Sequence, residues 1–222
     1  MKSTTSLAKC TGIALFLGSA SSQAADWRDN LYLHTDIGSA SLANGPTTTR
    51  GFSSSGPFQS RGSFRADTGI RGDLALGYNL TKSLALEVDS GAIWNPGPTS
   101  QNDFYQIPVM LNVVYQIRLS DSWKAYLGAG AGGVVSITHS QFRDAAFHAP
   151  IVLEDSDASF GYQAEAGINY ALSRHLEVGL KYKFLGVDEY EYHLSQPGFL
   201  SEDVKVRDLF THSAQVSLTW KF

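Results

Sequence analysis

Polar and apolar residues alternate along most of the chain, and this period of two restricts the fold more than any other feature. Between 104 and 118 the odd-numbered positions are all aliphatic or aromatic: Tyr105, Ile107, Val109, Leu111, Val113, Tyr115 and Ile117. Successive side chains of a β-strand point to opposite sides, so such a stretch forms a strand with one apolar face. Helical periodicity is almost absent, and the pattern predicts an all-β protein.

Eight stretches carry this alternation, and we predict one strand from each. They are 31–42, 65–78, 84–94, 104–118, 124–136, 160–170, 176–185 and 209–222. Each reaches the roughly 9 to 11 residues that a tilted strand needs to cross the hydrocarbon layer of a membrane. The links after the second, fourth and sixth strands are short and the others are longer, as in outer-membrane barrels. We therefore predict an eight-stranded antiparallel up-and-down transmembrane β-barrel. An exported soluble β-sandwich is the alternative, and it predicts release without detergent.

The first 24 residues have the layout of a secretory signal peptide. Lys2 and Lys9 precede the apolar stretch 12–18, and a small residue, Ala24, ends the segment. The stretch is too short to span a bilayer as a stable helix. We predict a signal peptide at 1–24 and a single barrel domain at 25–222. The formal net charge of −4 gives no reason to expect nucleic acid as a partner.

The strand faces predicted to point into the barrel carry charges of both signs. They are Asp36, Arg71, Asp73, Glu87, Asp89, Glu165, Lys181 and Lys183. Eight strands leave an interior only wide enough for side chains, and isolated charges there would be costly. We therefore predict a mixed-charge plug in which Arg71 and Lys181 pair with Glu87 and Glu165. A proton or ion path is the functional alternative to this paired core. Gly128, Gly130 and Gly132 share the inward parity, so they are predicted to leave room for long side chains.

Aromatic residues recur beside the short links. Tyr78, Tyr115 and Tyr170 each lie two residues before an aliphatic residue that precedes a polar turn. We predict that they lie at one level of the membrane, together with Trp220 and Phe222, as a periplasmic aromatic girdle. A general preference of Tyr for strands would explain the residue type but not the shared position.

The segments 44–63, 137–157 and 186–207 have the polar, Gly- and Ser-containing or acidic composition of surface loops. In and beside the first loop, Arg50, Arg61 and Arg65 are predicted to contact lipopolysaccharide phosphates or to pair with the acidic loops. The acidic clusters lack the spacing of a known calcium loop, so we predict no metal and no cofactor.

Several segments resemble the eight-stranded bacterial outer-membrane barrels of the opacity-protein and surface-antigen type, the porin-family or OmpA-like barrel domain. The resemblance lies in residues 107–115, 126–134, 160–170 and 212–222. It implies a monomer in the outer membrane, in contact with outer-membrane lipid and lipopolysaccharide, whose terminal Phe222 is recognised by the barrel-assembly machinery. Members of this family adhere, bind host factors or resist stress. The resemblance thus implies that surface loops carry the function, by binding a ligand or supporting envelope integrity.

Two other function classes compete with this interpretation, a lipid A hydrolase and a narrow pore. The lipid A deacylase family uses a His and a Ser two positions apart with a later Glu, and His193, Ser195 and Glu202 have similar spacing. These three residues lie in a predicted loop, however, and a turn-forming Gln-Pro-Gly follows Ser195. His212 and Ser213 are adjacent on a strand and therefore point to opposite faces. We predict that the protein has no catalytic activity.

Overall fold

A computed structural model describes residues 29–43, 45–53, 56–64, 66–97, 102–143, 150–196 and 200–222. The predicted signal peptide at 1–24 and Arg65 lie outside these residues. The described part contains ten β-strands: β1 (Leu31–Leu42), β2 (Gly45–Ser53), β3 (Gly56–Phe64), β4 (Gly69–Asn79), β5 (Leu84–Pro96), β6 (Asn102–Arg118), β7 (Trp123–Arg143), β8 (Pro150–Ala171), β9 (Leu176–Gln196) and β10 (Leu200–Lys221). Within it, no helix is long and apolar enough to cross a membrane.

Eight of the strands, β1 and β4 to β10, close into an antiparallel barrel. Each of the eight pairs with the next barrel strand, so that β1 pairs with β4. The barrel closes because β1 also pairs with β10, from Tyr32↔Lys221 to Leu42↔Thr211. Closure leaves no free strand edge within the barrel wall, so every strand there has a partner on both sides. The predicted all-β, eight-stranded barrel is confirmed.

The prediction that 44–63, 137–157 and 186–207 are loops was wrong. The first holds the hairpin β2–β3, and the other two consist largely of extensions of β7 to β10. β2 is hydrogen-bonded to β10 from Val206↔Thr47 to Ser201↔Phe52. Backbone pairing needs no apolar side chain, so a polar segment becomes a strand where a neighbouring strand offers an unpaired edge.

Beyond the barrel wall the sheet separates into two parts. The backbone pairing of β8 with β9 stops at Gly161↔Val187. Beyond that point the β7–β8 hairpin contacts β9 through side chains, since Ser159 Oγ donates to the carbonyl of Glu189 and the N–H of Glu191 donates to Asp157 Oδ2. On the other side, residues 188–196 of β9 and 200–208 of β10 join β2 and β3 in a four-stranded sheet, here called the outer sheet. At its base Asp208 has a positive φ of 53°. Val206 and Leu209 are both buried despite opposite parity, because the faces of β10 exchange at this point.

Three similar turns connect the strands at the opposite end, here called the turn end. They span 80–83, 119–122 and 172–175. In each, the first two backbone N–H groups donate to the carbonyl of the residue that opens the next strand, Leu84, Trp123 or Leu176. A hydroxyl at the second position, from Thr81, Ser120 or Ser173, accepts from the N–H groups two and three residues later. The side chain thus satisfies backbone donors that the tight turn leaves free.

Large apolar side chains cover the outside of the barrel wall. They include Ile37, Leu74, Leu76, Val88, Val109, Leu111, Val113, Leu127, Leu180 and Val216, all exposed. An apolar exterior of this size is costly in water and is stable in the hydrocarbon layer of a membrane.

Candidate functional site

The interior of the barrel is filled by a buried charge network at mid-height. Its members are His34, Asp36, Arg71, Asp73, Glu87, Asp89, Glu165, Lys181 and Lys183. Lys183 lies at its centre, with Nζ 2.6 Å from Oδ2 of Asp89 and 3.3 Å from Oδ2 of Asp73. Lys181 lies 3.0 Å from Asp36 and 3.4 Å from Glu165. The two lysines therefore join carboxylates from four different strands across the barrel.

The structure places all four residues of the predicted plug, Arg71, Glu87, Glu165 and Lys181, inside the barrel. Lys181 contacts Glu165 as the prediction requires. Arg71 instead pairs with Asp73, two residues away on the same face of β4, with Nε 2.8 Å from Oδ2. Glu87 accepts a hydrogen bond of 2.6 Å from the Tyr32 hydroxyl.

Tyr32 and His34 are parts of this site that the sequence prediction missed. His34 Nε2 lies 2.7 Å from Asp36 Oδ1, and His34 Nδ1 lies 2.6 Å from the Thr219 hydroxyl. Both residues share the parity of Asp36 on β1, and this shared parity was the available signal. The glycines of β7 provide the space, since a Cβ on Gly128 would lie 2.7 Å from Cγ of Glu165.

Apolar side chains close the barrel interior at the end opposite the turns. This apolar cap consists of Ala40, Leu42, Ile93, Phe104, Met110, Val134, Leu185, Val187, Tyr190, Val206 and Leu209. Tyr190 and Val206 come from the outer sheet, and the Tyr190 ring meets Phe104 edge-on at a centroid distance of 5.9 Å. The outer sheet thus covers the mouth of the barrel with one face.

At the turn end the interior is open and forms a cavity of about 720 Å³, here called the vestibule. Its lining includes Tyr32, Glu87 and Tyr126 towards the charge network, and Lys124, Glu177 and Lys221 towards the mouth. Lys124 and Lys221 share the single carboxylate of Glu177. The vestibule therefore ends on an acidic floor and has basic groups at its mouth.

The other face of the outer sheet is charged. Lys205 Nζ contacts Glu191 at 3.0 Å and Glu189 at 3.2 Å, and Arg207 Nε lies 2.9 Å from Glu189. Hydrogen bonds from Lys205 and then Arg207 lower the pKa of Glu189. Hydrogen bonds to Glu191 and then Glu189 raise the pKa of Lys205. Glu189 and Lys205 therefore both keep their charges at neutral pH.

Two of the predicted surface arginines lie on this charged face. Arg61 is opposite Thr48, and Thr48 is opposite Lys205 on the neighbouring strand. Directly opposed residues share a face, and Arg50 lies two residues along from Thr48 on that same face. Arg50 and Arg61 are exposed, and neither has an ion pair within the described residues.

Comparison with known proteins decides the kind of barrel. Residues 11–222 match the family described as outer membrane protein beta-barrel domain. The protein belongs to this family. Membership places this outer-membrane barrel in the bacterial outer membrane, and it confirms the resemblance seen in the sequence. In such barrels the short turns face the periplasm, so the vestibule opens to the periplasm and the outer sheet is extracellular.

Solved structures share the fold of this outer-membrane barrel at low sequence identity. Neisserial surface protein A is 15% identical with a TM-score of 0.54, over 87% of this chain and 97% of that one. The outer membrane protease OmpT from Escherichia coli is 8% identical with a TM-score of 0.52, over 88% and 97%. AlkL in lipid bilayers is 14% identical with a TM-score of 0.50, over 92% and 97%. A comparison with curated protein sequences gives no match.

The predicted girdle residues Tyr78, Tyr115, Tyr170, Trp220 and Phe222 all point outwards from the outer-membrane barrel. Tyr78 and Tyr170 each lie two residues before the leucine that opens a periplasmic turn, whereas Tyr115 lies four residues before Leu119. Tyr115 is therefore further from its turn than the other two, and Ile117 occupies the equivalent position. Trp123 packs against Tyr170 at a ring distance of 4.9 Å, and it is an aromatic residue that the predicted girdle omitted.

The two sets of residues considered for a hydrolase lie in different parts of the fold. The backbone of His193, Ser195 and Glu202 lies in the outer sheet, where Asp203 pairs with His193 and Ser201 with Ser195. His212 faces outwards and Ser213 faces the interior. His212 Nδ1 lies 2.6 Å from the hydroxyl of Tyr182, which is also on the outer face.

Proposed function

We propose that this outer-membrane barrel is a non-conducting and non-catalytic surface protein whose outer sheet binds lipopolysaccharide through its phosphate groups. The observation that carries the proposal is the pair Arg50 and Arg61, exposed on one face of the sheet without an ion pair in the described part of the chain. Lys205 and Arg207 on the same sheet are already matched by Glu189 and Glu191. Asp203 lies opposite Arg50 in the pairing of β10 with β2. The face therefore carries four cationic and three acidic residues, and its formal net charge is positive.

The spacing of the two arginines suits a ligand with more than one phosphate. Diagonal neighbours on an antiparallel pair lie roughly 7–8 Å apart, so Arg50 and Arg61 can each reach a separate anionic group. A guanidinium binds phosphate through two parallel hydrogen bonds and stays charged at any physiological pH. Lipopolysaccharide surrounds an outer-membrane barrel on its extracellular side and carries several phosphates at this level, which supports it as the partner.

The double variant Arg50→Glu, Arg61→Glu is expected to bind lipopolysaccharide about tenfold or more weakly, because two charge-assisted contacts become repulsive. Titration of the folded, detergent-solubilised protein with lipopolysaccharide measures the affinity. Arg174→Glu, at a periplasmic turn, makes the same change of residue at the other end of the barrel and should leave the affinity unchanged. Equal binding of dephosphorylated lipopolysaccharide, or an unchanged affinity of the double variant, would contradict the proposal.

The closed interior predicts that the barrel does not conduct. The charge network fills the middle of the barrel, and the apolar cap fills the extracellular end up to Tyr190 and Val206. A continuous water path would require both layers to move apart, exposing apolar residues and breaking buried ion pairs. Purified protein inserted into planar bilayers is expected to give no steady conductance. A large and steady conductance would instead support the narrow-pore alternative.

A further inference from the structure

The periplasmic vestibule has features of a binding site that the proposed surface function does not use. Its volume of about 720 Å³ lies in the range of small-molecule pockets, roughly 300–1,000 Å³. Three polar atoms on its lining are buried and have no hydrogen-bond partner within the described residues: Oε2 of Glu87, the hydroxyl of Tyr126 and Oδ1 of Asn169. All three can accept a hydrogen bond, so the floor suits a donor.

Among the residues that the structure describes, Glu87 also has no cationic group within ion-pair distance. In the charge network the carboxylates of Asp36, Asp73, Glu87, Asp89 and Glu165 outnumber the permanent cations of Arg71, Lys181 and Lys183. Lys181 is held by Asp36 and Glu165, and the contact described for Glu87 is the hydrogen bond from Tyr32. A buried carboxylate is stable when a positive charge lies beside it. The floor of the vestibule therefore favours a ligand with a positive charge.

Two further sets of side chains line the vestibule. The first is apolar, since Tyr32, Ala85, Val114 and Tyr126 form a buried cluster around the cavity. The second, at the mouth, is basic because Lys124 and Lys221 share one carboxylate, that of Glu177. One of these two ammonium groups thus stays without full compensation and can attract an anion.

We propose that the vestibule binds a small zwitterion that consists of an ammonium group, a short alkyl chain and an anionic group. The ammonium has three N–H donors for the three acceptors Glu87, Tyr126 and Asn169. The alkyl chain packs against the apolar cluster, and the anionic group pairs with Lys124 and Lys221 at the mouth. Within the described residues no three His, Cys, Asp or Glu side chains are placed to hold a metal ion, and the ligand proposed for the floor is therefore an ammonium.

Isothermal titration calorimetry of the full protein in phosphatidylcholine nanodiscs tests the proposal, with empty nanodiscs as the blank. The probes are 6-aminohexanoate, hexylamine and hexanoate, which carry both charges, the cation alone and the anion alone. We expect 6-aminohexanoate to bind most tightly, hexylamine to bind more weakly and hexanoate not to bind. Absence of saturable binding of 6-aminohexanoate would overturn the proposal, as would equal binding of hexanoate.

Variants assign the two ends of the ligand. Glu87→Gln is expected to weaken binding of 6-aminohexanoate and hexylamine by about tenfold or more, because a charge-assisted contact is lost. Asp188→Asn removes the same charge at an exposed position at the opposite end of the barrel, away from the vestibule, and should leave both affinities unchanged. Lys124→Gln should weaken the binding of 6-aminohexanoate and leave the affinity for hexylamine unchanged.

The heat-dependent mobility of the folded barrel on a gel shows whether each variant is assembled. Tyr126→Phe removes a single hydroxyl and keeps the ring, so it serves if Glu87→Gln fails to fold. Tyr126→Phe is expected to weaken the binding of 6-aminohexanoate and of hexylamine several-fold. Unchanged affinity in every folded floor variant would show that the ammonium binds elsewhere and would overturn the assignment.

Discussion

Replacing Lys183 with Met is expected to lower the free energy of unfolding by about 3–5 kcal/mol, a large share of the stability of a small barrel. The ammonium of Lys183 lies against Asp89 and Asp73 and within 4.0 Å of Asp36 and Glu165. Methionine fills a similar volume but leaves these buried carboxylates without their shared cation. The cost comes from uncompensated charge in a confined interior rather than from lost packing.

Urea titration of the protein folded in lipid or detergent, followed by tryptophan fluorescence, measures this change. Lys82→Met, at an exposed position of the first periplasmic turn, makes the same substitution outside the network and should stay within about 0.5 kcal/mol of wild type. The double variant Lys183→Met, Asp89→Asn should recover part of the loss, because one unmatched carboxylate is removed. A cost for Lys183→Met as small as that of the control would show that the network does not stabilise the barrel.

The sequence predicted the barrel well because each strand needs only a local signal. Alternation assigns every residue of a strand to one face, and closure follows from the number and length of the strands. The outer sheet was missed because its signal is not local. Thr47 to Thr49 and the Ser- and Gly-containing residues around them resemble a loop in composition, and they form a strand where β10 offers an edge.

Parity also identified which charges point inwards, but not which of them meet. Lys183 and Asp89 are separated by 94 residues in sequence, and their contact depends on the tilt and register of several strands. Arg71 has a partner two residues away on its own strand, a simpler solution than the predicted pairing with distant glutamates. The order of the layers along the axis, from vestibule to network to cap, follows from the same register and could not be read from composition.

Replacing Phe222 with Asp is expected to reduce the amount of assembled barrel in the outer membrane several-fold and to increase degradation in the periplasm. Phe222 is 55% exposed on the lipid-facing side, and its backbone N–H donates to the carbonyl of Leu31 at 3.3 Å. Its side chain therefore contributes little to packing within the folded barrel. We propose that its main role is recognition by the barrel-assembly machinery, as the family resemblance implies.

Two measurements separate recognition from anchoring. If Phe222 is recognised by the barrel-assembly machinery, Phe222→Asp should refold in detergent nearly as well as wild type. Its assembly should then be impaired mainly in cells. Phe222→Tyr keeps an aromatic ring and should assemble normally. Phe160 is an exposed aromatic residue near the other end of the barrel wall, and Phe160→Asp serves as the matched control. An equal loss of refolding in detergent and of assembly in cells would show that the ring acts as an interfacial anchor. Unchanged assembly of Phe222→Asp in cells would exclude both roles, because the chain would then close β10 against β1 without this aromatic ring.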